Sequence, residues 1–185
     1  MLMPPGPLSN DVRPEVYWID LPADARLAVM PRPHEGDRLD GDIAGWRAEG
    51  IDVVVSLLEA GEAECLGLQR EESLCRGLAM EFMSFPIPDG RAPAVKSEAV
   101  AIAETIITQL NEGKAVAVHC HAGIGRAPLM AACVLMLLGM PSQAACDLIG
   151  KARGRKVPHT EEQQEWVRAF RETTTGAPGP SETPL

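Results

Sequence analysis

One cysteine and one arginine stand in a pattern that could do chemistry. The segment VAVHCHAGIGRAPLMAACVLMLL is apolar at both ends but not in its HCHAGIGR centre. A thiol such as Cys120 ionises readily at a helix start, because free backbone N–H groups and the helix dipole stabilise an anion there. Gly123 and Gly125 let successive amides turn towards one point, and Arg126 offers a planar fork for two oxygens. These residues predict an anion site with Cys120 as nucleophile.

A buried structural cysteine followed by a surface arginine is the alternative, since free cysteine often behaves as a small hydrophobe. That is our interpretation of the other four cysteines: Cys65, Cys75, Cys133 and Cys146. It explains neither the two glycines nor the position of Cys120 between two apolar runs, so we favour the nucleophile. The irregular cysteine spacing and the absence of a C-x-x-C pair predict neither a zinc site nor a disulfide framework. Whether Cys65 or Cys75 could pair with Cys120 stays open.

The elements that must position this loop alternate between strand-like and helix-like patterns. We predict strands at 16–20, 26–30, 51–58, 79–87 and 114–119, and helices at 38–50, 61–78, 93–113, 126–138, 142–153 and 160–171, with Ser142 and Thr160 as N-caps. This alternation indicates an α/β fold, a single domain with a central, mostly parallel twisted sheet and helices on both faces. The domain should span residues 14–172, with a flexible segment at 1–13 and a disordered tail at 173–185. The loop from Cys120 to Arg126, called the cysteine loop below, then lies where ligands of such sheets bind.

Charge and composition exclude several classes of function. The chain has 185 residues and a formal net charge of −9. An acidic surface repels nucleic acid and anionic membranes, so neither is an expected partner. The sequence shows no apolar run of membrane-spanning length, secretory signal or prenylation cysteine. We therefore expect a cytoplasmic protein with no metal or other cofactor, and the oligomeric state stays open.

The HCHAGIGR segment resembles the H-C-x5-R signature of cysteine-dependent protein tyrosine phosphatases. The surrounding chain, from Val16 to Phe170, is most similar to the compact dual-specificity branch, especially the kinase-associated (cyclin-dependent kinase inhibitor 3-like) phosphatases. The resemblance implies the fold of that family and Cys120 as the nucleophile. It also implies that His119 orients the loop and tunes Cys120. The implied phosphate-binding residues are His121, Ala122, Gly123, Ile124, Gly125 and Arg126, with His121 facing the entrance.

Three further side chains acquire roles through the same resemblance. Asp89, in the segment FPIPDGRAP, corresponds to the family's general acid, although a plain Pro-Asp-Gly turn also explains the local sequence. Gln163 corresponds to a residue that positions water in some members, and a solvated helix face is the equally weighted alternative. Glu59 either braces the cysteine loop or is an ordinary loop carboxylate, and we favour the latter.

Ala127 departs from the family, which usually has Ser or Thr after the arginine. The resulting Ala-Pro pair resembles the loop of the regenerating-liver phosphatases, although the prenylated tail of that branch is absent. The usual hydroxyl stabilises the departing thiolate, and losing one such donor costs ~10²-fold in rate. We therefore expect normal attack by Cys120 and slow turnover.

The resemblance implies a phosphorylated protein or another phosphate monoester as substrate. The choice between phosphotyrosine and phosphoserine or phosphothreonine stays open. The cysteine loop contains no lysine, which disfavours polyphosphorylated lipids. The basic run at 151–156 either holds an acidic segment or is a solvated helix end, and we favour the helix end. Two other functions are considered: a phosphoprotein-binding pseudophosphatase, suggested by Ala127, and, ranked last, a rhodanese-like sulfurtransferase.

Overall fold

The structure, a computed structural model, describes residues 14–22 and 25–170 of the chain. Its strands are β1 (Tyr17–Trp18), β2 (Leu27–Met30), β3 (Val53–Ser56), β4 (Glu81–Ser84) and β5 (Val116–His119). Its α-helices are α1 (Leu39–Ala48), α2 (Ala60–Cys65), α3 (Glu71–Gly77), α4 (Lys96–Asn111), α5 (Arg126–Leu137), α6 (Ser142–Arg153) and α7 (Glu161–Ala169). The predicted terminal segments at 1–13 and 173–185 lie outside the described residues, so the domain limits stay a prediction.

The five strands form one mixed sheet in the order β1-β2-β5-β3-β4. Only β1 is antiparallel to its neighbour, and the other pairings are parallel. On β5, Val118 pairs with Val29 of β2 on one side and with Val55 of β3 on the other. The predicted α/β class and the mostly parallel sheet are confirmed. The strand that leads into the cysteine loop therefore lies in the middle of the sheet.

Helices cover both faces of the sheet, as predicted. Val55 and Val118 belong to a core that includes apolar residues of α4, α5, α6 and α7. Their neighbours Val54 and Ala117 belong to a second core with residues of α1 and α3. This division follows from the alternation of side chains along a strand. Because β5 is buried on both faces, the cysteine loop begins from a rigid support.

Several predicted boundaries are wrong by a few residues or more. The helix predicted at 61–78 is two helices, because Gly67 adopts a left-handed φ of +65° between α2 and α3. Pro93 does not begin a helix, since Val95 is still extended and α4 starts at Lys96. Strands β1 and β4 are shorter than predicted.

Of the two predicted N-caps, one is correct. Thr160 caps α7, and its hydroxyl accepts a hydrogen bond from the backbone N–H of Gln163. Ser142 is instead the first residue of α6, and Pro141 occupies the cap position without a side-chain hydrogen bond. Proline cannot supply a capping oxygen, so this helix begins without the stabilisation that a Ser cap gives.

The cysteines are all free thiols. Burial raises the pKa of Cys75 to about 12 and also raises that of Cys133, which fits a structural role for both. Cys65 is exposed, so our interpretation of it as a core residue is wrong. In residues 14–22 and 25–170, no helix has the length and apolar character needed to cross a bilayer.

Candidate active site

The cysteine loop joins the central strand to the most deeply buried helix. Cys120 follows β5 directly, and α5 begins at Arg126. Every residue of α5 from Arg126 to Met136 is buried, so the helix is held on all sides. Cys120 itself is buried and lines a cavity together with the residues of the loop that follows it. The apolar runs that flank HCHAGIGR therefore clamp the loop at both ends.

Three carbonyl groups of the cysteine loop accept hydrogen bonds from residues outside the loop. The backbone N–H of Arg32 donates to the carbonyl of His121 at 3.1 Å. The guanidinium of Arg153 donates to the carbonyls of Gly123 at 2.9 Å and Ala122 at 3.2 Å. Arg153 also lies over the ring of Tyr17, so this member of the basic run is not a solvated helix end.

The backbone amides of the same loop have no partner. Among the described residues, none of the N–H groups from residue 121 to 125 donates a hydrogen bond to another protein group. Three of the five, those of Gly123, Ile124 and Gly125, belong to buried or half-buried residues, where amides without partners are rare and costly. Five in succession at a helix N-terminus form a cradle for an anion.

Gly123 is required by the close approach of strand β2. Its φ is +66°, and a Cβ built there would lie 2.6 Å from the carbonyl carbon of Met30 and 2.8 Å from the nitrogen of Pro31. Backbone atoms cannot move aside as a flexible side chain can. Gly125 also has a close neighbour, because a Cβ there would lie 2.9 Å from Oε1 of Gln163.

Arg126 is 1% exposed and is held by groups from three other segments. Its Nη1 and Nη2 donate to the two carboxylate oxygens of Glu62 at 2.7 and 2.8 Å. Nη1 also donates to the carbonyls of Leu57 at 3.4 Å and Ile87 at 3.0 Å. The Nε atom is buried without a partner, which leaves one donor for a ligand.

The electrostatics of this pair keep both groups charged. Hydrogen bonding from Arg126 holds the pKa of Glu62 below its usual value, and this outweighs burial. Burial lowers the pKa of Arg126, but Glu62 and the charges of Cys120 and Asp89 outweigh it, and the net shift is upward. A fixed cation therefore stands beside the cysteine loop.

The bracing carboxylate is Glu62, which our sequence reasoning missed. Glu59 lies at the N-cap of α2, and its backbone N–H donates to Oε2 of Glu62 at 3.4 Å. An acid three positions after a helix cap was the available signal, because such a residue turns back towards the helix start. That signal does not say which distant cation the carboxylate meets.

Asp89 lies on the loop after β4, at the mouth of the site. Its Oδ1 is 2.9 Å from Nη2 of Arg126, and the side chain is 73% exposed. The structure therefore brings the predicted acid to the predicted arginine across a long separation in sequence.

The start of α7 holds the loop that carries Asp89. Glu162 accepts hydrogen bonds from Nη1 of Arg91 at 2.8 Å and from the backbone N–H of Ala92 at 3.2 Å. The hydroxyl of Thr160 donates to the carbonyl of Gly90 at 3.0 Å. We call this set of contacts, together with that of Gln163 below, the loop clamp.

Gln163 is 1% exposed, so the solvated-face alternative is wrong. Its Nε2 donates to the carbonyl of Arg91 at 3.0 Å, and its Oε1 accepts from the backbone N–H of Thr160 at 3.3 Å. The side chain also lines the same cavity as Cys120. It thus lies between the loop that carries Asp89 and Gly125 of the cysteine loop.

His119 is fully buried on the face of the sheet away from α5. Its Nε2 is 2.8 Å from Oε1 of Glu71, a carboxylate that is only 4% exposed, but the two atoms are not aligned for a hydrogen bond. The ring of Trp46 lies 5.8 Å away, centroid to centroid. His119 therefore contacts a buried acid behind Cys120, and the orienting role that the resemblance implies stays a prediction.

These groups surround a cavity of about 170 Å³. It is lined by Asp89, Gly90, Cys120, His121, Ala122, Ile124, Gly125, Arg126, His159, Thr160 and Gln163. Within the part of the chain that the structure describes, no group of three or more His, Cys, Asp or Glu could hold a metal ion.

Comparison with known families agrees with this geometry. A family model described as "Polymorphic toxin system, DSP-PTPase phosphatase" matches residues 28–140, more than half of the chain. The chain belongs to the dual-specificity phosphatase family. The resemblance read from HCHAGIGR is thus confirmed.

Curated proteins that resemble this dual-specificity family member include a cyclin-dependent kinase inhibitor 3 and a protein tyrosine phosphatase. It is 35% identical over 133 residues to cyclin-dependent kinase inhibitor 3 of Rattus norvegicus, covering 71% of this chain and 62% of that protein. It is 30% identical over 115 residues to the protein tyrosine phosphatase PRL-1 of Leishmania major, covering 58% of this chain and 65% of that one. The chain thus spans less than two thirds of the length of these relatives.

Solved structures of the family share the fold. Kinase associated phosphatase, with its catalytic-site cysteine replaced by serine, aligns with a TM-score of 0.82 at 21% identity over 90% of this chain and 99% of that one. The active form of Tk-PTP aligns with a TM-score of 0.70 at 28% identity over 86% of this chain and 98% of that one.

Proposed function

We propose that this protein is a cysteine-dependent phosphatase that hydrolyses phosphate monoesters on proteins through a cysteinyl-phosphate intermediate. The observation that carries the proposal is the unsatisfied donor set around Cys120. Among the residues that the structure describes, five loop amides and the buried Nε of Arg126 all lack protein partners. A phosphoryl group has three oxygens that can accept from such donors.

In the first step, the Sγ thiolate of Cys120 attacks phosphorus, and the bond to the leaving oxygen breaks. The proton of Asp89 passes to that oxygen, so that an alcohol or phenol leaves instead of its anion. The loop amides and Arg126 stabilise the charge on the three remaining oxygens. Cys120 then carries the phosphoryl group.

Asp89 must first leave Arg126. Its carboxylate lies 2.9 Å from Nη2 of Arg126. An entering phosphoryl dianion competes for that guanidinium and displaces the carboxylate, so that Asp89 can face the leaving oxygen.

In the second step, water attacks phosphorus, Asp89 accepts its proton, and the S–P bond breaks. Gln163 is placed beside both loops and supports the position of the water. Ala127 supplies no hydroxyl to the departing thiolate, and it is fully buried beside the loop. Breakdown of the phosphoenzyme is then the slower step.

The size of the cavity supports a protein substrate. A volume of about 170 Å³ is smaller than the roughly 300–1,000 Å³ that buries a whole small molecule. It suits a phosphoryl group and part of one side chain, while the rest of the substrate lies on the surface. The names of two similar proteins, kinase associated phosphatase and protein tyrosine phosphatase PRL-1, also favour a protein substrate.

Stopped-flow mixing with a chromogenic aryl phosphate, beside Cys120→Ser, tests the proposal. A burst near one equivalent followed by a slow phase is expected, and Cys120→Ser should release nothing while still binding vanadate. Steady turnover without a burst would support phosphatase activity but would contradict the proposal that breakdown of the phosphoenzyme is the slower step. If the wild type binds vanadate but releases no chromogenic product, the protein is a phosphate-binding module and not a phosphatase.

A further inference from the structure

Glu71 and His119 are two buried titratable side chains that the proposed mechanism does not use. His119 is fully buried, and Glu71 is 3% exposed. The ring of His119 lies beside Trp46 of the second core, and Glu71 belongs to the helix that contributes Cys75 to that core. A carboxylate in such apolar surroundings is costly unless it has a partner. Among the described residues, His119 is the only basic group that pairs with Glu71.

The start of a helix does not explain the burial of Glu71. It is the first residue of α3, and an acidic side chain is favourable there. Glu72 lies in the same first turn, however, and is exposed and paired with Arg76. Glu71 is instead shielded from solvent, with its Oε1 at 2.8 Å from Nε2 of His119. Because an ionised carboxylate only accepts, this contact is favourable when Nε2 carries a proton.

The place of His119 in the chain connects this contact to the nucleophile. His119 is the last residue of β5, where it pairs with Met30 of β2 and Ser56 of β3, and Cys120 follows it. Side chains alternate along a strand, so Cys120 belongs to the first core while His119 contacts the second. One planar peptide joins the two residues, and a rotation of the His119 backbone would therefore move Sγ of Cys120 relative to the loop amides. A contact that fixes the imidazole opposes that rotation.

We propose that Glu71 is a positioning residue for the nucleophile: its carboxylate holds the proton-bearing Nε2 of His119, and the fixed imidazole holds the backbone that carries Cys120. This inference rests on the proposed function and deepens it, because it adds a residue that does not line the cavity around Cys120. The loop amides and Arg126 bind the phosphoryl group without Glu71. Its effect should therefore fall on the rate of attack and not on substrate affinity.

Substitutions at position 71 separate positioning from binding. Glu71→Leu removes the oxygen that faces Nε2 and fills a similar volume with an apolar group. In stopped-flow mixing with p-nitrophenyl phosphate, we expect its burst rate constant to fall about tenfold, with substrate affinity unchanged. Glu71→Gln keeps an oxygen at the same reach and should restore most of this rate. Glu72→Leu, at the next and exposed position, is the control and should react as the wild type does.

Stability and the state of the imidazole provide two further measurements. Replacing a buried ionic group by an apolar one of similar volume is often neutral or stabilising, so the free energy of unfolding of Glu71→Leu should not fall while its burst rate does. In protein labelled with ¹⁵N-histidine, the Nε2 signal of His119 should be that of a protonated nitrogen and should shift in Glu71→Leu. In a His119→Asn background, Glu71→Leu should have no further effect on the burst rate.

Alkylation of Cys120 by iodoacetamide, followed by mass spectrometry of its peptide, requires no phosphatase activity. If the wild type hydrolyses nothing but Glu71→Leu is alkylated more slowly than Glu71→Gln, the phosphatase is overturned and the positioning role stands. A wild-type burst rate in Glu71→Leu would overturn the inference while the phosphatase stands. Equal losses in Glu71→Leu and Glu71→Gln, or a burst rate that falls only in parallel with the free energy of unfolding, would also overturn it. Should Glu71→Leu fail to fold, the ¹⁵N signal of the wild type decides, because an Nε2 without a proton contradicts the proposed contact.

Discussion

Glu62 and Arg126 form the contact on which the geometry of the site most depends. Glu62 meets both terminal nitrogens of the guanidinium, which fixes the plane of the fork. Two long side chains with this many contacts have little freedom, so a ligand meets a preorganised group.

Removing the charge of Glu62 should therefore damage catalysis. We expect Glu62→Gln to lower kcat/KM on an aryl phosphate by about 10- to 100-fold, because Arg126 can then shift by a fraction of an ångström. Glu64→Gln, on an exposed position of the same helix, is the control. Equal rates in the two variants would show that Glu62 does not position Arg126.

The same carboxylate should make stability depend on pH in acid. The pKa of Glu62 is lowered in the folded protein from an ordinary value of 4.5. Its contribution is therefore fully present above that value and is lost as pH falls through the lower folded pKa. Denaturant unfolding from about pH 6 to about pH 3 should show a shallower loss of the free energy of unfolding in Glu62→Gln than in wild type. Parallel curves would contradict this.

A substitution of Ala127, in contrast, should raise the rate of catalysis. If phosphoenzyme breakdown limits turnover, Ala127→Ser should raise the steady-state rate by up to ~10²-fold and remove the burst. Ala131→Ser, one turn later in α5 and equally buried, adds a hydroxyl away from Cys120 and should not raise the rate. An unchanged rate in Ala127→Ser would mean that another step is limiting.

At the scale of elements, α7 and the loop after β4 act together through the loop clamp. Its contacts hold the backbone at residues 90–92, directly after Asp89, which is itself mostly exposed. Both partners of the Arg91–Glu162 ion pair are substantially exposed, so the pair adds little to stability. Its effect should fall on the position of the acid.

The clamp can be tested by the dependence on the leaving group. Glu162→Gln should lower kcat/KM about tenfold for phenyl phosphate, whose leaving group needs protonation, and little for p-nitrophenyl phosphate. In an Asp89→Asn background it should have no further effect, because the acid is already absent. Glu161→Gln, which removes an equal charge from the same helix turn, is the control. A loss that persists with Asp89→Asn would place the role of Glu162 elsewhere.

At the scale of the whole molecule, the cysteine loop depends on its contact with the C-terminal end of β2. A side chain at Gly123 would collide with the backbone of Met30 and Pro31, which the sheet holds in place. The loop therefore keeps its shape only as part of the complete sheet.

Gly123→Ala should thus distort the cradle and nearly abolish turnover. Gly139→Ala is the control, because its φ is also positive, at +100°, yet no atom lies within 4 Å of the added Cβ. It should cost about 1–2 kcal/mol of stability, because an L side chain is disfavoured at positive φ, and leave kcat/KM unchanged. Activity in Gly123→Ala equal to that of Gly139→Ala would show that the loop tolerates displacement from β2.

The amino-acid sequence by itself determined the α/β class, the strand before Cys120, the apolar helix after Arg126 and the cap at Thr160. These features follow from local periodicity and from residue types a few positions apart. The sequence did not indicate that the helix predicted at 61–78 is divided at Gly67. It also did not indicate which residues three buried or bracing acids contact. Only the tertiary structure decided that Glu62 meets Arg126, that Glu71 meets His119 and that Glu162 holds the loop of Asp89, because β5 lies between β2 and β3 and brings distant segments to one edge. A carboxylate carries the same local pattern whether it faces solvent or a cation, and the packing of the sheet makes the difference.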